Sequence, residues 1–570
     1  MNSINRKLGR AATLGAISMF LVLSVFIFND IQAQSQPESG FSCTSVYEIP
    51  QSECQALVDF YDATNGNNWQ YNDGWKHTNT PCSWYGVSCL SGHVSELHLE
   101  LNGLQGPLPD FAQLPFLQQL ILSGNELTGN IPDFPLPALR KLELQDNPLS
   151  GQIPDFRYLG KLKLLHIGED HLVGEIPNFS HLPELEELWV DMNQLSGSIP
   201  DFSNLPKLRV FEAVYNEFDG YVPDFSNLGN LTYLGLEHNR LSGSIPDFHN
   251  IPNLQTLNLA HNQLTGPVPD FSNLPNLREL YLHHNHLTGA IPDFSHLPNL
   301  SSLNLSANRF EGNIPAFDHL TNLNELYLEK NRLDGIIPAN FCSRFFEFSD
   351  YGYNMLDVVH TDDCVSASES DWRQTQTVPP TDVNASALSS NQIRVIWAPI
   401  LYTADGGYYE VLSSNTSGGP YTSQAMTSSK LDDEILLSGF VSGQTYYFVV
   451  RTFTPAHDDQ QNDLTSENSV QVLVMLTDIS TDGTDVNLTW TPAAEFAQYE
   501  VLYSTDFYFQ PEDAGVSVET TTTDSWTHSG AAADVVNNYA YLLRGIDDNG
   551  GKSSVFNRIG EFTFALTPGN

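Results

Sequence analysis

Between Val94 and Phe341 the apolar residues recur in one phrase, L-x-x-L-x-L-x-x-N-x-L-x-G-x-I-P-D-F. Its beat is an asparagine: Asn102, Asn125 and Asn147, then Asn193, Asn216, Asn239, Asn262, Asn285, Asn308 and Asn331. The interval is 23 residues, with one of 22, and Asp170 holds an acid in the remaining slot. A repeat of this period predicts a solenoid, in which each unit buries its apolar face only against its neighbours. Within a unit the L-x-L alternation has the period of a strand, so Leu120 and Leu122, or Leu257 and Leu259, point inward. The asparagine amide both donates and accepts, which suits it to satisfy backbone groups where the chain leaves the strand. Asp170, when ionised, can only accept, and a locally weaker coil is expected there. The glycine, as at Gly197 and Gly243, suits a turn at positive φ. The I-P pair keeps the return path extended, and a phenylalanine such as Phe202 or Phe225 fills the convex side. Eleven units are expected, with a degenerate twelfth around Asn354 and Leu356.

Six cysteines lie outside the repeats, as Cys43 and Cys54, Cys82 and Cys89, Cys342 and Cys364. Proximity favours pairing within each group, which staples both ends of the solenoid, although six cysteines allow 15 connectivities. The G-x-I-P element resembles the plant-type leucine-rich repeat of receptor ectodomains and polygalacturonase-inhibiting proteins. The segment from Leu57 through Trp69 to Pro81–Cys89, with its C-x-W-x-G-V-x-C motif, is similar to the N-terminal cap of that family. The resemblance covers about Cys54 to Cys364 and implies a horseshoe with a parallel concave sheet and Trp84 packed over the first coil. The unit here is 23 residues against the usual 24 of the plant group, so plant binding residues are not carried over.

The chain beyond Cys364 reads differently. Ser, Thr and Pro mark 367–377 as a linker. From Val378 short alternating strands follow at sandwich spacing. Trp397 in Ile393–Trp397, and Tyr446 ahead of Tyr447–Val450, resemble the fibronectin type III pattern, which implies a corner hydrogen bond from Tyr446. A weaker second copy contains Trp490 and Tyr539 or Tyr541. The expected division is therefore 1–33 signal peptide or N-terminal anchor, 34–93 cap, 94–341 repeats, 342–366 C-terminal cap, 367–377 linker, and sandwiches at 378–475 and 476–567. The fold class is mainly β: a leucine-rich-repeat horseshoe followed by two antiparallel sandwiches. The signal reading rests on Arg6, Lys7 and Arg10 before the uncharged run Ala11–Phe28. It implies a secreted or cell-surface protein.

With 24 basic against 68 acidic residues, a net charge of -44 disfavours nucleic acid and anionic membrane as partners. No nucleophile elbow, zinc-protease helix motif, phosphate loop or kinase set occurs, so no catalytic residue, no cofactor and no enzyme activity are expected. The exposed strand slots instead gather Trp189, Glu212, Tyr215, Tyr233, Glu237, His238, His261, Tyr281, His283 and His284 at mid-array. Aromatics beside acids are what a protein- or glycan-binding face needs. His238, His261 and His284 share one slot and are expected to stack at about 4.8 Å, with protonation below about pH 6.5 as a switch. No metal is expected, because no cysteine or near carboxylate completes a ligand set. The acids before the phenylalanines, Asp110 to Asp293, are read as caps of the following turn in preference to calcium ligands. Function is read as binding of an extracellular protein or glycan on the concave face, with a cell-surface spacer and an inhibitor of a polysaccharide-degrading enzyme as rivals. Oligomeric state is left open.

Overall fold

A computed structural model of the chain describes residues 41–344, 346–362, 365, 371–389, 391–482, 484–506, 508–533, 539–553 and 557–559. The expected signal segment and Cys364 lie outside them. Among the described residues no helix is long and apolar enough to cross a membrane.

The repeats form a solenoid whose concave face is a 13-stranded sheet, running from Val87–Leu90 to Phe348–Asp350. Its first pair is antiparallel and the rest are parallel in unbroken register, so Leu165, Leu188, Phe211 and Leu234 sit side by side in the core. The leucine rows are fully buried, as is nearly every row phenylalanine. Phe179, Phe202 and Phe225 stack at 6.4 Å along the convex side. Gly197 and Gly243 both have φ 78, as the turn requires.

The asparagines act as a continuous hydrogen-bond ladder. Asn262 donates through Nδ2 to the carbonyls of Leu236, Leu259 and Ala260 at 2.9–3.1 Å, and its Oδ1 accepts from Leu241 N at 2.9 Å. One side chain thus satisfies groups on two coils, and the pattern recurs at Asn193, Asn216, Asn239, Asn285, Asn308, Asn331 and Asn354. At Asp170, Oδ1 accepts from Asn147 N at 2.9 Å, while Oδ2 is buried with no hydrogen-bond partner. Burial, above all, pushes this carboxyl up to about 8. The ladder extends one rung further than expected. Gln376 Oε1 accepts from Leu356 N, and its Nε2 donates to the carbonyls of Tyr351 and Trp372.

At the N-terminal end, helix α1 (Gln51–Ala63) buries Cys54, Leu57, Phe60 and Tyr61, the one-sided spacing of an amphipathic helix. It ends where Thr64 returns both its N–H and its hydroxyl to Phe60 O. Glu53 ties it to the sheet by accepting from Val94 N at 2.7 Å and pairing with His93 Nδ1 at 2.6 Å. Trp69, Trp75 and Trp84 pack edge and tilt at 5.0 Å over the first coil, and Trp84 is buried. Disulfides join Cys43 to Cys54 and Cys82 to Cys89, and Cys342 is also disulfide-bonded.

At the other end the expected linker is, where described, no free tether. Trp372 is buried in the solenoid core beside Tyr351, and Gln376 and Thr377 are buried too. Indole and amide outweigh the Ser/Thr/Pro composition that suggested a linker, because they close the last apolar coil. Antiparallel sheets follow. Strands at Thr381–Ser389, Gln392–Ala398 and Glu434–Ser438 face a sheet that contains Tyr408–Ser414 and Thr445–Thr454, with Ile393, Val395, Trp397, Tyr409, Val411, Phe448 and Val450 between them. Tyr446 Oη accepts from Val441 N at 3.0 Å. A second core contains Trp490, Tyr499, Val501, Tyr541 and Leu543. A parallel pairing of Ala387 with Asn557 joins a sheet of the first unit to one of the second.

Candidate ligand-binding face

The parallel register fixes which side chains meet on the concave face. Trp189 lies between His166 and Glu212 on the adjoining strands. Its ring is 5.7 Å from that of His166 and stacks at 6.4 Å on that of Tyr233, one strand further on. Tyr281 sits between Asn258 and Asn304. All three aromatics are half-buried, flanked by carboxylates. The Tyr233 hydroxyl is raised by burial and then by Glu212, Glu237, Glu279 and Asp191. That of Tyr281 is pushed up to about 12 by burial, with Glu279, Glu325 and Glu237 adding to it. These acids are themselves oriented. Thr256 donates to Glu279 at 3.0 Å, Ser302 to Glu325 at 2.7 Å, and Asn258 Nδ2 to Glu237 at 2.6 Å.

Beside this patch runs a ladder of rings. Tyr215, His238, His261 and His284 stack face to face at 4.1, 3.9 and 4.2 Å, closer than the strand spacing. All four residues have φ between 51 and 54. His283, on the strand side, meets His261 edge-on at 5.1 Å. The switch expected near pH 6.5 does not fit this packing. Burial, followed by the adjoining imidazoles, pushes His261 down to about 3, burial chiefly pushes His283 down to about 4, and His238 and His284 are lowered as well. A stack whose rings exclude water from one another resists protonation.

The expectation that no carboxylate stands near the histidines also fails. Glu237, His261 and His283 bring one ligand atom each within 4.8 Å of one another, and Glu237 Oε1 is 3.3 Å from His238 Nε2. Glu237 belongs to one coil and the histidines to the next two, and cross-coil register brings them together. Of the acids ahead of the phenylalanines, Asp110, Asp201, Asp270 and Asp293 cap turns, accepting from the backbone N–H two residues on at 2.9–3.0 Å, while Asp133 and Asp224 accept from Arg157 N and His249 N of the next coil at 3.1 and 3.0 Å.

Sequence reading missed the wall at one edge of this face. A loop of the first C-terminal unit reaches the ladder turns. Gln460 donates to the carbonyls of Tyr353 and Asn331 at 2.6 and 3.2 Å, Gln461 to Asn285 at 3.3 Å, and Asn462 to Asn308 at 2.6 Å. Asp459 stands 3.9 Å from Lys330, whose ammonium lies over the Tyr353 ring. The run Gln460-Gln461-Asn462 was the available signal: three adjacent amide side chains in a strand-connecting loop.

Residues 50–90 match the family described as Leucine rich repeat N-terminal domain. Residues 229–273 and 275–318 match that described as Leucine Rich repeats (2 copies), and 116–136 and 322–343 match Leucine Rich Repeat. In these segments the chain is similar to leucine-rich repeats and their N-terminal cap, and to the repeat regions of plant receptor-like proteins. Among curated relatives, a probable leucine-rich repeat receptor-like serine/threonine-protein kinase of Arabidopsis thaliana is 28% identical over 149 residues, which is 23% of this chain and 12% of that protein. Protein MALE DISCOVERER 1 of the same plant is 47% identical over 53 residues, 9% of this chain and 8% of that one. The chain thus spans only 12% and 8% of the length of these two relatives. Among solved structures, the plant peptide hormone receptor RGFR1 in complex with RGF2 is 30% identical, with 46% of this chain and 48% of that chain covered and a TM-score of 0.43. A plant ice-binding protein is 28% identical over 49% of this chain and 93% of its own, with a TM-score of 0.44.

Proposed function

We propose that this is an exported, non-enzymatic binding protein whose solenoid captures a basic polypeptide on the concave face between Trp189 and His284. The observation that carries the reading is the setting of Trp189, Tyr233 and Tyr281. These half-buried rings lie among Glu212, Glu237, Glu279 and Glu325, beside imidazoles lowered toward the neutral form. Aromatic faces with surrounding carboxylates favour lysine and arginine through cation–π and charge-assisted contacts. An uncharged glycan can stack on the rings and donate hydroxyls to the acids, but a cationic side chain also draws on their negative charge. The resemblance of 50–90 to the N-terminal cap of cell-surface relatives supports an extracellular setting. In the same reading 378–475 and 476–567 are fibronectin type III-like modules. The antiparallel strands packed face to face in the first module, and the Tyr446 corner bond, support this. The first of them braces the solenoid through Gln460, Gln461 and Asn462 instead of merely spacing it.

The test is binding of an array of basic, neutral and acidic peptides, and of neutral oligosaccharides, to the purified chain and to a Trp189→Ala, Tyr281→Ala, His284→Ala variant with an unchanged melting curve. Capture of basic peptides by the parent and loss of about tenfold or more in affinity in the variant are expected, since central aromatic anchors each contribute roughly 2 kcal/mol. Equal capture by both, or a preference for oligosaccharides, overturns the reading.

A further inference from the structure

We propose that Glu237, His261 and His283 form a zinc site that bridges three successive coils of the concave face. Their ligand atoms lie within 4.8 Å of one another, and all three residues are half-buried. Tetrahedral zinc with nitrogen and oxygen ligands at about 2.0–2.1 Å needs about 3.4 Å between donors, a closing that side-chain rotation supplies. Two imidazoles and one carboxylate are a donor set that suits zinc and leaves at least one position for water or a partner's donor group.

Two further observations support the site. His283 Nδ1 is buried and has no hydrogen-bond partner. Asn258 Nδ2 holds the carboxylate of Glu237 at 2.6 Å, an outer contact that orients a ligand. Bound there, the ion would place an electrophilic position beside the stacked rings. The site does not depend on the peptide-binding reading, because it is assayed with zinc alone.

The chelator-stripped full-length chain is titrated with zinc chloride against a chromophoric competitor, and cobalt(II) serves as a visible reporter of coordination. One equivalent is expected to bind tightly, with a tetrahedral cobalt spectrum. Glu237→Gln, His261→Ala and His283→Ala should each abolish it. His249→Ala, which alters a histidine paired with Asp224 elsewhere, should leave it unchanged. Asn258→Ala, which removes only the positioning contact, should weaken it about tenfold. If His283→Ala proves unstable, the isosteric Glu237→Gln decides. No tight equivalent in the parent, or the same equivalent in Glu237→Gln as in the parent, overturns the site.

Discussion

Asparagine at the turn of each coil does more than mark the repeat. Asn262 serves three carbonyls and one N–H on two coils, so Asn262→Ala strands several buried groups at once. A loss of roughly 2–3 kcal/mol in denaturant unfolding is expected. Asp170 is the instructive exception. Its Oδ2 is buried without a partner where other rungs carry an amide that donates. Because its folded-state value is raised from 3.8 to about 8, its stabilising contribution is full below about pH 4. That contribution is lost as the pH rises through 8. Asp170→Asn is therefore expected to stabilise the chain at pH 8.5 by about 1–3 kcal/mol. The gap between variant and parent should shrink toward pH 4. A gap that grows on acidification would contradict the assignment. The sequence alone showed that asparagine's two-way hydrogen bonding suits this turn, and that an acid there is a weak point. It did not show that burial keeps the acid protonated, because that depends on which coils cover it.

At the scale of the element, the caps decide whether the solenoid holds. The N-terminal cap was legible because its tryptophans and cysteines form a motif. The C-terminal closure was not. Trp372 sits in a segment of linker-like composition, and Gln376 continues the ladder as a longer amide after a gap of 22 residues, which hides it from a search for asparagine. Trp372→Ala is expected to cost about 3 kcal/mol or more through the cavity it leaves. In a one-dimensional array the damage stays near the end that is opened. Hydrogen exchange should therefore quicken in Phe348–Leu356 and remain unchanged near Leu120. The candidate site was legible as a set of slots, since strand alternation assigns each residue to a face. The approach of Glu237 to His261 and His283 was not, because side-chain reach across coils is set by rotamers and packing.

For the molecule as a whole, a net charge of -44 acts at long range. If a basic polypeptide binds the concave face, association should slow steeply between 0.05 and 0.5 M salt while dissociation changes little, since steering falls with the Debye length. Stopped-flow traces that show the reverse would point to an apolar partner. The loop around Gln460 carries a different consequence. Its amides grip the turns at Asn285, Asn308, Asn331 and Tyr353, and a solenoid is otherwise a spring whose pitch each coil can vary. These four coils are splinted; those from Leu120 to Leu234 have no such brace among the described contacts. Replacing Gln460, Gln461 and Asn462 together with alanine should therefore soften one half of the spring and leave the other as it was. Under tension the intact chain should yield first at its N-terminal half, so the stiffness of this horseshoe is graded along its length.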